Sequence, residues 1–314
     1  GLDALVIGGE RHLVAIVAVA RGEQRLALGL GIDEVLRIER KYSRYMPDSV
    51  LAQINQQAGL KPVACDAETW SLFQFASQLF EKSNGLFDIS SGVLRQAWNF
   101  KQAQVPSADQ LAQLLPLIGW QHVVLQDQSI LLPIKGMEVD LGGFGKEYAA
   151  DRAAQVLKEK GVTHGYVNLA GDMRFLGPKP HGEPWLIGIQ DPRHPDQVIA
   201  TLPMSQGGLA TSGDYERYFE LNGQRYCHVL NPQTGWPVKH WRTVSVTAPD
   251  TTIDSGPSGT TKSTDAELTF SSDDNAASFE CRLDGGSWNA CSSPKSYPGL
   301  ADGSHTFDLR ATDA

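Results

Sequence analysis

The stretch VDLGGFGKEYAADRAAQVL, residues 139–157, decides how the middle of this chain folds. A short apolar run ends on Asp140, and the glycines at 142, 143 and 145 follow it. Apolar residues then recur at helical spacing, at Ala149, Ala153, Val156 and Leu157. The pattern predicts a strand with the sequence MEVDL, a glycine turn, and a helix that begins one residue before Lys146.

The glycine turn is typical of a site that receives a phosphate group. Glycine lets the backbone approach a ligand, and a helix N-terminus presents free N–H groups and the positive end of the helix dipole. An acidic side chain at the strand end does not serve a phosphate. We therefore expect Asp140 to hold another part of a large ligand while the turn and Lys146 bind its charged middle.

The length and charge of the chain limit what it can do. A chain of 314 residues favours two domains, since a single core rarely grows this large. Its 27 basic and 36 acidic side chains give a formal net charge of −9. This balance argues against nucleic-acid binding, and an anionic ligand would need a local positive group or a metal. The apolar stretch LVAIVAVA, residues 13–20, predicts a buried strand and no transmembrane segment.

Residues 1–248 mix helical and strand patterns. We predict helices over residues 32–44, from Asp48 and Ser49 onward, over 69–85, and over 108–115. Residues 122–133 predict a hairpin, and GYVNLAG, WLIGIQD and RTVSVTA predict strands. This order indicates an α+β, or mixed α/β, domain rather than a regular βαβ series.

Residues 249–314 have a different composition, rich in Ser, Thr, Asp and Gly. The segments ELTF, SFECRLD and HTFDLRATD predict strands of a small all-β sandwich. Cys281 and Cys291 flank a hairpin signal, and a loop over 285–287 would place them directly opposite each other, close enough for a disulfide. Such a bond implies an exported protein. Cys65 and Cys227 are expected to be buried thiols.

His228 is the candidate general base of the sequence. A lone histidine is more often structural than catalytic, but this one adjoins a loop marked by Asn231-Pro232 and Gly235, where catalytic groups tend to lie. Polar residues also cluster at the preceding predicted turn, at Thr211, Ser212 and Asp214.

Two common site patterns are missing from the sequence. The dinucleotide pattern G-x-G-x-x-G is incomplete after Gly143 and Gly145, which disfavours a nicotinamide oxidoreductase. The nucleophile elbow G-x-S-x-G is absent, which disfavours Ser-His-Asp hydrolysis.

Five stretches together resemble, in order and spacing, the successive motifs of the FAD:protein FMN transferase (ApbE-like) family. They are YSRYMPDSVLAQIN, GLFDISSGVLRQAW, VDLGGFGKEYAADRAAQVL, YVNLAGDMRFLG, and ATSGDYERYF through CHVLNPQTGWPV. The resemblance covers about residues 30–248. It implies a domain that binds FAD, uses Mg2+, and transfers FMN through a phosphoester bond to a Thr or Ser hydroxyl of an acceptor protein, with release of AMP.

The resemblance also implies roles for single residues. The carbonyl of Gly143 matches a backbone ligand of the metal, and His228 matches the proposed base that deprotonates the acceptor hydroxyl. Glu147 stands where the family more often has Gly. We assign five side chains to FAD binding: Met46, Asp140, Lys146, Thr211 and Asp214.

The segment after Ala248 departs from the family pattern. The family continues into a loop that completes the metal site and then into a helix, whereas DTTIDSGPSGTTKSTD resembles the opening of a bacterial immunoglobulin-like repeat. Asp254 and Ser258 have the i, i+4 spacing of the missing metal ligands, but Gly256 and Pro257 argue against a helix there. We therefore treat the match as a coincidence and keep only Asp254 as a candidate metal ligand. We therefore expect a weak transferase, and the alternative is a flavin-binding or adhesive module without turnover.

The compartment is predicted from the cysteines. The expected disulfide favours a periplasmic or otherwise exported protein, with the cytoplasm as the alternative. The stretch at 13–20 ends in AVA, as a signal peptide can, but Glu10 and Arg21 flank it and favour the strand interpretation.

Overall fold

The computed structural model describes residues 3–8, 13–18, 24–239, 241–248, 251–255, 263–272, 278–301, 303 and 305–312. Its helices are α1 (Gln24–Tyr42), α2 (Val50–Gln56), α3 (Ala67–Lys82), α4 (Ala108–Leu114) and α5 (Gly145–Glu159), with 3-10 segments at Ile89–Gln96, Leu115–Leu117 and Trp120–His122. Within these described residues, no helix is both long and apolar enough to cross a bilayer.

The strands follow in chain order. They are β1 (Asp3–Gly8), β2 (Leu13–Ala18), β3 (Val63–Ala64), β4 (Val124–Gln126), β5 (Ser129–Leu131), β6 (Gly165–Leu169), β7 (Asp172–Gly177), β8 (Trp185–Gln190), β9 (Val198–Met204), β10 (Gly208–Gly213), β11 (Tyr218–Leu221), β12 (Gln224–Cys227), β13 (Thr243–Ala248), β14 (Thr251–Ser255), β15 (Ala266–Ser272), β16 (Ser278–Leu283), β17 (Asn289–Cys291), β18 (Lys295–Tyr297) and β19 (Phe307–Thr312).

A six-stranded antiparallel sheet forms the centre of the first region, in the order β1-β2-β6-β7-β10-β13. Helices α1 and α5 pack together beside it, and Ile16, Leu157 and Val167 are fully buried in the shared core. The predicted strand at 13–20 is confirmed as β2. Helices on an antiparallel sheet confirm the mixed α/β character expected of residues 1–248.

Local signals set most helix ends where they were predicted. Ser49 caps α2 by accepting from the Ala52 N–H at 3.0 Å. Asn84 and Gly85 follow α3 with positive φ angles of 52° and 78°. Helix α1, however, begins at Gln24, well before the predicted start at 32. Glycines at 29 and 31 weaken the local helical signal, but a Cβ at Gly31 would lie 2.9 Å from Ile16 Cδ1, so close packing on β2 requires glycine there.

The predicted strand MEVDL is wrong, because residues 137–141 pair with no neighbouring strand. The segment is held instead by a side chain: Asn55 Oδ1 accepts from the Val139 N–H at 2.8 Å, and Asn55 Nδ2 donates to the Val139 carbonyl at 3.0 Å. An asparagine amide can satisfy one donor and one acceptor at once, as a strand neighbour does. The sequence pattern of this segment is the same whether its backbone pairs with a neighbouring strand or with the Asn55 side chain, so the pattern could not distinguish the two.

The described residues after 250 form two small sheets, β14-β15-β18 and β17-β16-β19. Phe270 of β15 contacts Phe279 and Phe307 of the other sheet, with ring centroids 5.1 and 6.0 Å apart. Two facing sheets agree with the all-β expectation for this region, and the strands predicted from ELTF, SFECRLD and HTFDLRATD are present.

The disulfide between Cys281 and Cys291 is present, but the predicted register is wrong. Cys281 pairs with Asn289, and Cys291 pairs with Phe279, so the bond crosses the hairpin diagonally over a Cα separation of 6.0 Å. The turn is made by Asp284 and Gly285, both with positive φ, rather than by residues 285–287. This earlier turn shifts the pairing of the two strands.

Candidate functional site

Helix α5 begins directly after the glycine turn, at Gly145, as predicted. The residue before it, Phe144, provides no side-chain cap, and the Gly145 N–H donates to the Leu141 carbonyl at 2.7 Å. The N–H groups left for other partners are therefore those that follow Gly145 in the first turn. A Cβ on Gly143 would lie 2.8 Å from Phe87 Cε2, which explains why glycine is needed there. The geometry agrees with a backbone that receives an anion at a helix N-terminus.

Asp140 is held rigidly beside this turn. The Asp140 N–H donates to the Ile89 carbonyl at 2.9 Å. A Cβ added to Gly92 would lie 2.8 Å from the Asp140 Cβ, so the two segments pack closely. Its Oδ1 accepts from the Gly142 N–H at 3.0 Å, while Oδ2 forms an ion pair with Arg44. The second sequence motif, which includes Ile89 and Gly92, therefore serves to position Asp140.

Arg44 is a site residue that the sequence analysis did not single out. It lies in the turn after α1, two residues before Met46, and its contact with Asp140 joins the first motif to the third. Arg44 Nη2 also donates to the Tyr45 hydroxyl at 2.9 Å. A lone arginine in a polar turn carried no signal by itself, because its partner lies 96 positions away along the chain.

Lys146 lies in the first turn of α5 and forms an ion pair with Asp172, a residue that the sequence analysis also missed. Asp172 is only 2% exposed, and its Oδ1 lies 3.4 Å from the Thr211 N–H. The Thr211 hydroxyl in turn lies 2.9 Å from the Ser245 hydroxyl. The sequence signal for Asp172 was its place as an acidic residue directly after the Ala170-Gly171 turn. It begins a strand whose other positions are mostly buried.

His228 follows β12 and lies near Lys146. Its N–H donates to the Arg217 carbonyl at 3.0 Å, and its ring Nδ1 is buried with no hydrogen-bond partner among the described residues. Burial lowers the pKa of His228 below its ordinary value of 6.5, and the positive charges of Arg217 and Lys146 lower it further, although a hydrogen bond to the Arg217 backbone acts in the opposite direction. The ring is therefore neutral at pH 7 and able to accept a proton.

An aromatic cluster supports the segment that carries His228. Phe219 and Tyr226 of the β11–β12 hairpin stack with ring centroids 5.2 Å apart, and Tyr226 contacts Trp98. Trp98 Nε1 also donates to the Gly235 carbonyl at 2.8 Å, which fixes the loop after His228. The hairpin is thus anchored on both sides of the histidine.

The site carries positive charge in an acidic protein. Burial acts to raise the pKa of the Tyr45 phenol, but the Arg44 hydrogen bond and the charges of Arg44, Arg217 and Arg95 outweigh it and lower the pKa. Arg95 is engaged by Glu138 at 2.8 Å, whereas Arg217 makes no ion pair within the part of the chain that the structure describes. Because Glu138 neutralises Arg95, the positive charge that an anionic ligand requires comes from Arg44 and Arg217.

Glu147 introduces a second carboxyl group beside Asp172. Its Oε2 is buried without a hydrogen-bond partner. Burial, and then the negative charge of Asp172, raises the pKa of Glu147 above its ordinary 4.5. Whereas the Lys146 ammonium compensates Asp172, no described side chain donates to this oxygen of Glu147.

Asp140 contacts Arg44, Lys146 and Thr211 both contact Asp172, and His228 lies near Lys146. Gly143 lies in the turn between Asp140 and α5, and Met46 lies two residues after Arg44 in the chain. Asp214 is occupied differently, because Arg193 binds both of its oxygens at 2.7 Å and Arg225 lies 3.7 Å away. These cations, Arg193 foremost, lower the pKa of Asp214 and keep it ionised. Its assignment to FAD stays a prediction.

The metal assignments find no preassembled cage. Among the described residues, no group of three or more His, Cys, Asp or Glu side chains could hold a metal ion. The backbone of Asp254 lies in β14, but its side chain is outside what the structure describes. Gly143 offers a neutral carbonyl, and the Asp140 and Asp172 carboxylates are already paired with cations. The described donors therefore do not form a Mg2+ site without further ligands.

Comparison with known proteins agrees with the motifs. Residues 13–259 match the ApbE family. The FAD:protein FMN transferase of Escherichia coli strain K12 is 31% identical over 214 residues, which is 65% of this chain and 61% of that protein. The chain thus spans less than two thirds of the length of that relative.

Solved structures support the same relationship. The ApbE protein of Thermotoga maritima superposes with a TM-score of 0.73 at 34% identity, covering 79% of this chain and 82% of that one. The apo flavinyl transferase ApbE of Pseudomonas stutzeri gives 0.68 at 28% identity, covering 79% and 80%. Because the family match extends over most of the sequence and the fold agrees with its solved members, this chain belongs to the ApbE family.

Proposed function

We propose that this protein transfers FMN from FAD to a Thr or Ser hydroxyl of an acceptor protein and releases AMP. The observation that carries the proposal is the neutral His228 ring, with a buried Nδ1 that has no partner, close to Lys146 at the N-terminus of α5. A base beside a cationic anion site is the pairing that transfer of a phosphate-linked group to a hydroxyl requires.

In the proposed reaction the acceptor hydroxyl oxygen forms a bond to the phosphorus of the FMN half of FAD. The bond from that phosphorus to the bridging oxygen breaks, and AMP leaves with this oxygen and the bonding electron pair. The hydroxyl proton passes to His228. Lys146 and the open helix N-terminus hold the negative charge of the phosphates, and Asp140 orients the nucleotide.

Mg2+ would supply further neutralisation of phosphate charge when bound. The residues that would contribute are the Gly143 carbonyl and, by proposal only, Asp254. Because the described donors form no cage, the substrate phosphates would have to complete the coordination. We therefore propose that the protein requires Mg2+ and binds it more weakly than it binds FAD.

The lack of a preassembled metal cage among the described donors favours a second candidate, a flavin-binding module without turnover. If the segment after Pro249 supplies no metal ligand, FAD would bind and stay intact. We also propose that the two facing sheets of the C-terminal region are an immunoglobulin-like module, and that the protein is exported, since a disulfide joins Cys281 to Cys291.

The test incubates the chain with FAD, Mg2+ and the unmodified form of a protein whose threonine normally carries FMN, produced in a host without a flavin transferase. We expect AMP release together with an acceptor mass increased by one FMN. Intact FAD that remains tightly bound would support the second candidate. Absence of FAD binding would refute both.

A further inference from the structure

Arg44 takes no part in the proposed transfer step, yet its position is well defined. Tyr42, the last residue of α1, is buried, and its hydroxyl lies 3.1 Å from the Thr69 hydroxyl. At the other end of the turn, the Ser49 N–H donates to the Met46 carbonyl at 3.0 Å, and Ser49 caps α2. The backbone of Arg44 is therefore fixed between two helices.

The guanidinium of Arg44 is only partly used. Nη1 contacts Asp140, and Nη2 donates to the Tyr45 hydroxyl, but the Nε–H is buried and has no hydrogen-bond partner. A buried donor left without a partner costs free energy, and unpaired groups of this kind are few in folded proteins. No group in the part of the chain that the structure describes satisfies this donor.

The Lys146–Asp172 and Arg44–Asp140 ion pairs differ in whether an incoming ligand can separate them. Asp172 is almost fully buried, and among the described residues its one other donor is the Thr211 N–H at 3.4 Å, so it needs Lys146 to remain. Asp140 is about a quarter exposed and keeps the Gly142 N–H at 3.0 Å. Asp140 can therefore share or release Arg44 when a stronger anion arrives.

We infer that Arg44 is a further ligand-binding residue of this site and that its guanidinium binds a phosphate oxygen of the flavin nucleotide. Arginine presents a planar set of donors that matches phosphate, and its Nε–H together with one Nη–H can bind two oxygens at once. Asp140 holds the guanidinium in place before the ligand arrives. This inference rests on the proposed function, because it takes FAD as the ligand.

The alternative role is a structural cross-link between the first and third motifs. A cross-link would support every ligand equally, whereas a phosphate-binding group distinguishes ligands by charge. Binding of riboflavin, FMN and ADP to the chain and to its Arg44→Gln variant separates the two. We expect the variant to bind FMN and ADP about tenfold to a hundredfold more weakly and riboflavin within about threefold of the original.

Three controls accompany the measurement. Arg95→Gln removes a neighbouring positive charge that Glu138 already engages, and we expect a change below about threefold for FMN. Arg44→Lys keeps the charge and should retain part of the FMN affinity, which covers the case in which Arg44→Gln does not fold. Salt screens contacts between charges, and Arg44→Gln removes such a contact with the ligand. The FAD affinity of Arg44→Gln should therefore depend less on salt concentration than that of Arg95→Gln.

A double-mutant cycle with Asp140→Asn completes the test. If Arg44 acts only through Asp140, the double variant binds FMN as weakly as Asp140→Asn alone; if Arg44 contacts phosphate, the double variant binds FMN more weakly than Asp140→Asn does. Equal losses for riboflavin and FMN, or no loss for either, would overturn the inference. Failure of the original chain to bind FAD would instead refute the proposed function, so the two failures are distinguishable.

Discussion

The proposed flavin site and the C-terminal sheets differ in whether their buried polar groups have hydrogen-bond partners. Among the residues that the structure describes, the buried polar side-chain atoms without a hydrogen-bond partner belong to Arg44, Glu147, Arg225, His228 and Thr243. In the described residues between 263 and 312 there is none, and charged residues pair across strands on the surface, as Arg282 does with Asp308 at 2.8 Å.

Three of the five groups, on Arg44, Glu147 and His228, belong to the proposed flavin site, whereas Arg225 and Thr243 lie in β12 and β13. Unpaired buried groups cost free energy, so the three groups in the site favour a ligand that satisfies them. The C-terminal sheets satisfy their own groups and gain from a disulfide. The predictions below sharpen or break this contrast.

The largest expected effect is on catalysis. Replacing His228 by Asn should lower the rate of FMN transfer about 10²- to 10⁴-fold, because the base is lost, while FAD affinity stays within about threefold. Single-turnover kinetics and flavin fluorescence titration measure the two quantities. His164→Asn is the matched control, since His164 Nδ1 lies 2.8 Å from the Pro178 carbonyl and the next residue, Gly165, pairs with Gly177 at the opposite end of β6–β7 from Asp172. Near-normal transfer by His228→Asn would remove the assigned role.

The second effect concerns the two kinds of ion pair. Lys146→Met leaves Asp172 buried and unpaired, and we expect it to lower the free energy of unfolding by about 3 kcal/mol. Lys146→Met combined with Asp172→Asn should recover most of this loss.

The matched surface variant, Asp308→Asn, should cost less than about 1 kcal/mol, since both members of the Arg282–Asp308 pair are about one-third exposed. Denaturant unfolding compares all four proteins. Equal costs at both pairs would contradict the contrast between the regions.

The third effect belongs to the C-terminal sheets. Replacing Cys281 and Cys291 together by Ser should lower the stability of this region by about 2–3 kcal/mol, because the disulfide closes a loop with a sequence separation of 10. FAD titration should be unchanged, since the site lies in the other region. A loss of FAD affinity would show that the two regions are coupled.

The smallest effect is a gain. Because the pKa of Glu147 is raised in the folded state, its protonated form favours folding at low pH, and this contribution is lost as the pH rises through that pKa. Glu147→Gln does not ionise, so we expect it to be more stable by about 1 kcal/mol, or roughly 2–4 °C in Tm, at pH 8 and unchanged at pH 4. Calorimetry at both pH values checks this. A stability loss at pH 8 would indicate that the carboxylate has a favourable partner.

Local chemistry made much of the fold predictable. Ser49, Asn84 and Gly85 act within one turn of their own position, so the helix ends near them followed from the sequence. The helix at Gly145 followed from the glycines and the spacing after them. The register of the β16–β17 hairpin did not follow, because it depends on which two residues adopt positive φ.

The site was predictable where a motif marks it and not where contacts between distant residues build it. Asp140, Lys146 and His228 came from stretches that resemble the family. Arg44 and Asp172 lay inside quoted motifs and were not assigned, since an arginine and an aspartate in polar turns have many ordinary roles.

The sequence by itself determined the glycine turn and the helix that starts at Gly145, the strand and helix composition of the two regions, and the family to which the chain belongs. These depend on backbone freedom, side-chain periodicity and short capping contacts, all of which act over a few residues. Only the tertiary structure decided that Asn55 replaces a strand neighbour at Val139, that Arg44 meets Asp140, and that a buried Asp172 holds Lys146. Each of these is a contact between distant positions, and its strength comes from burial and charge that no single stretch of the chain contains.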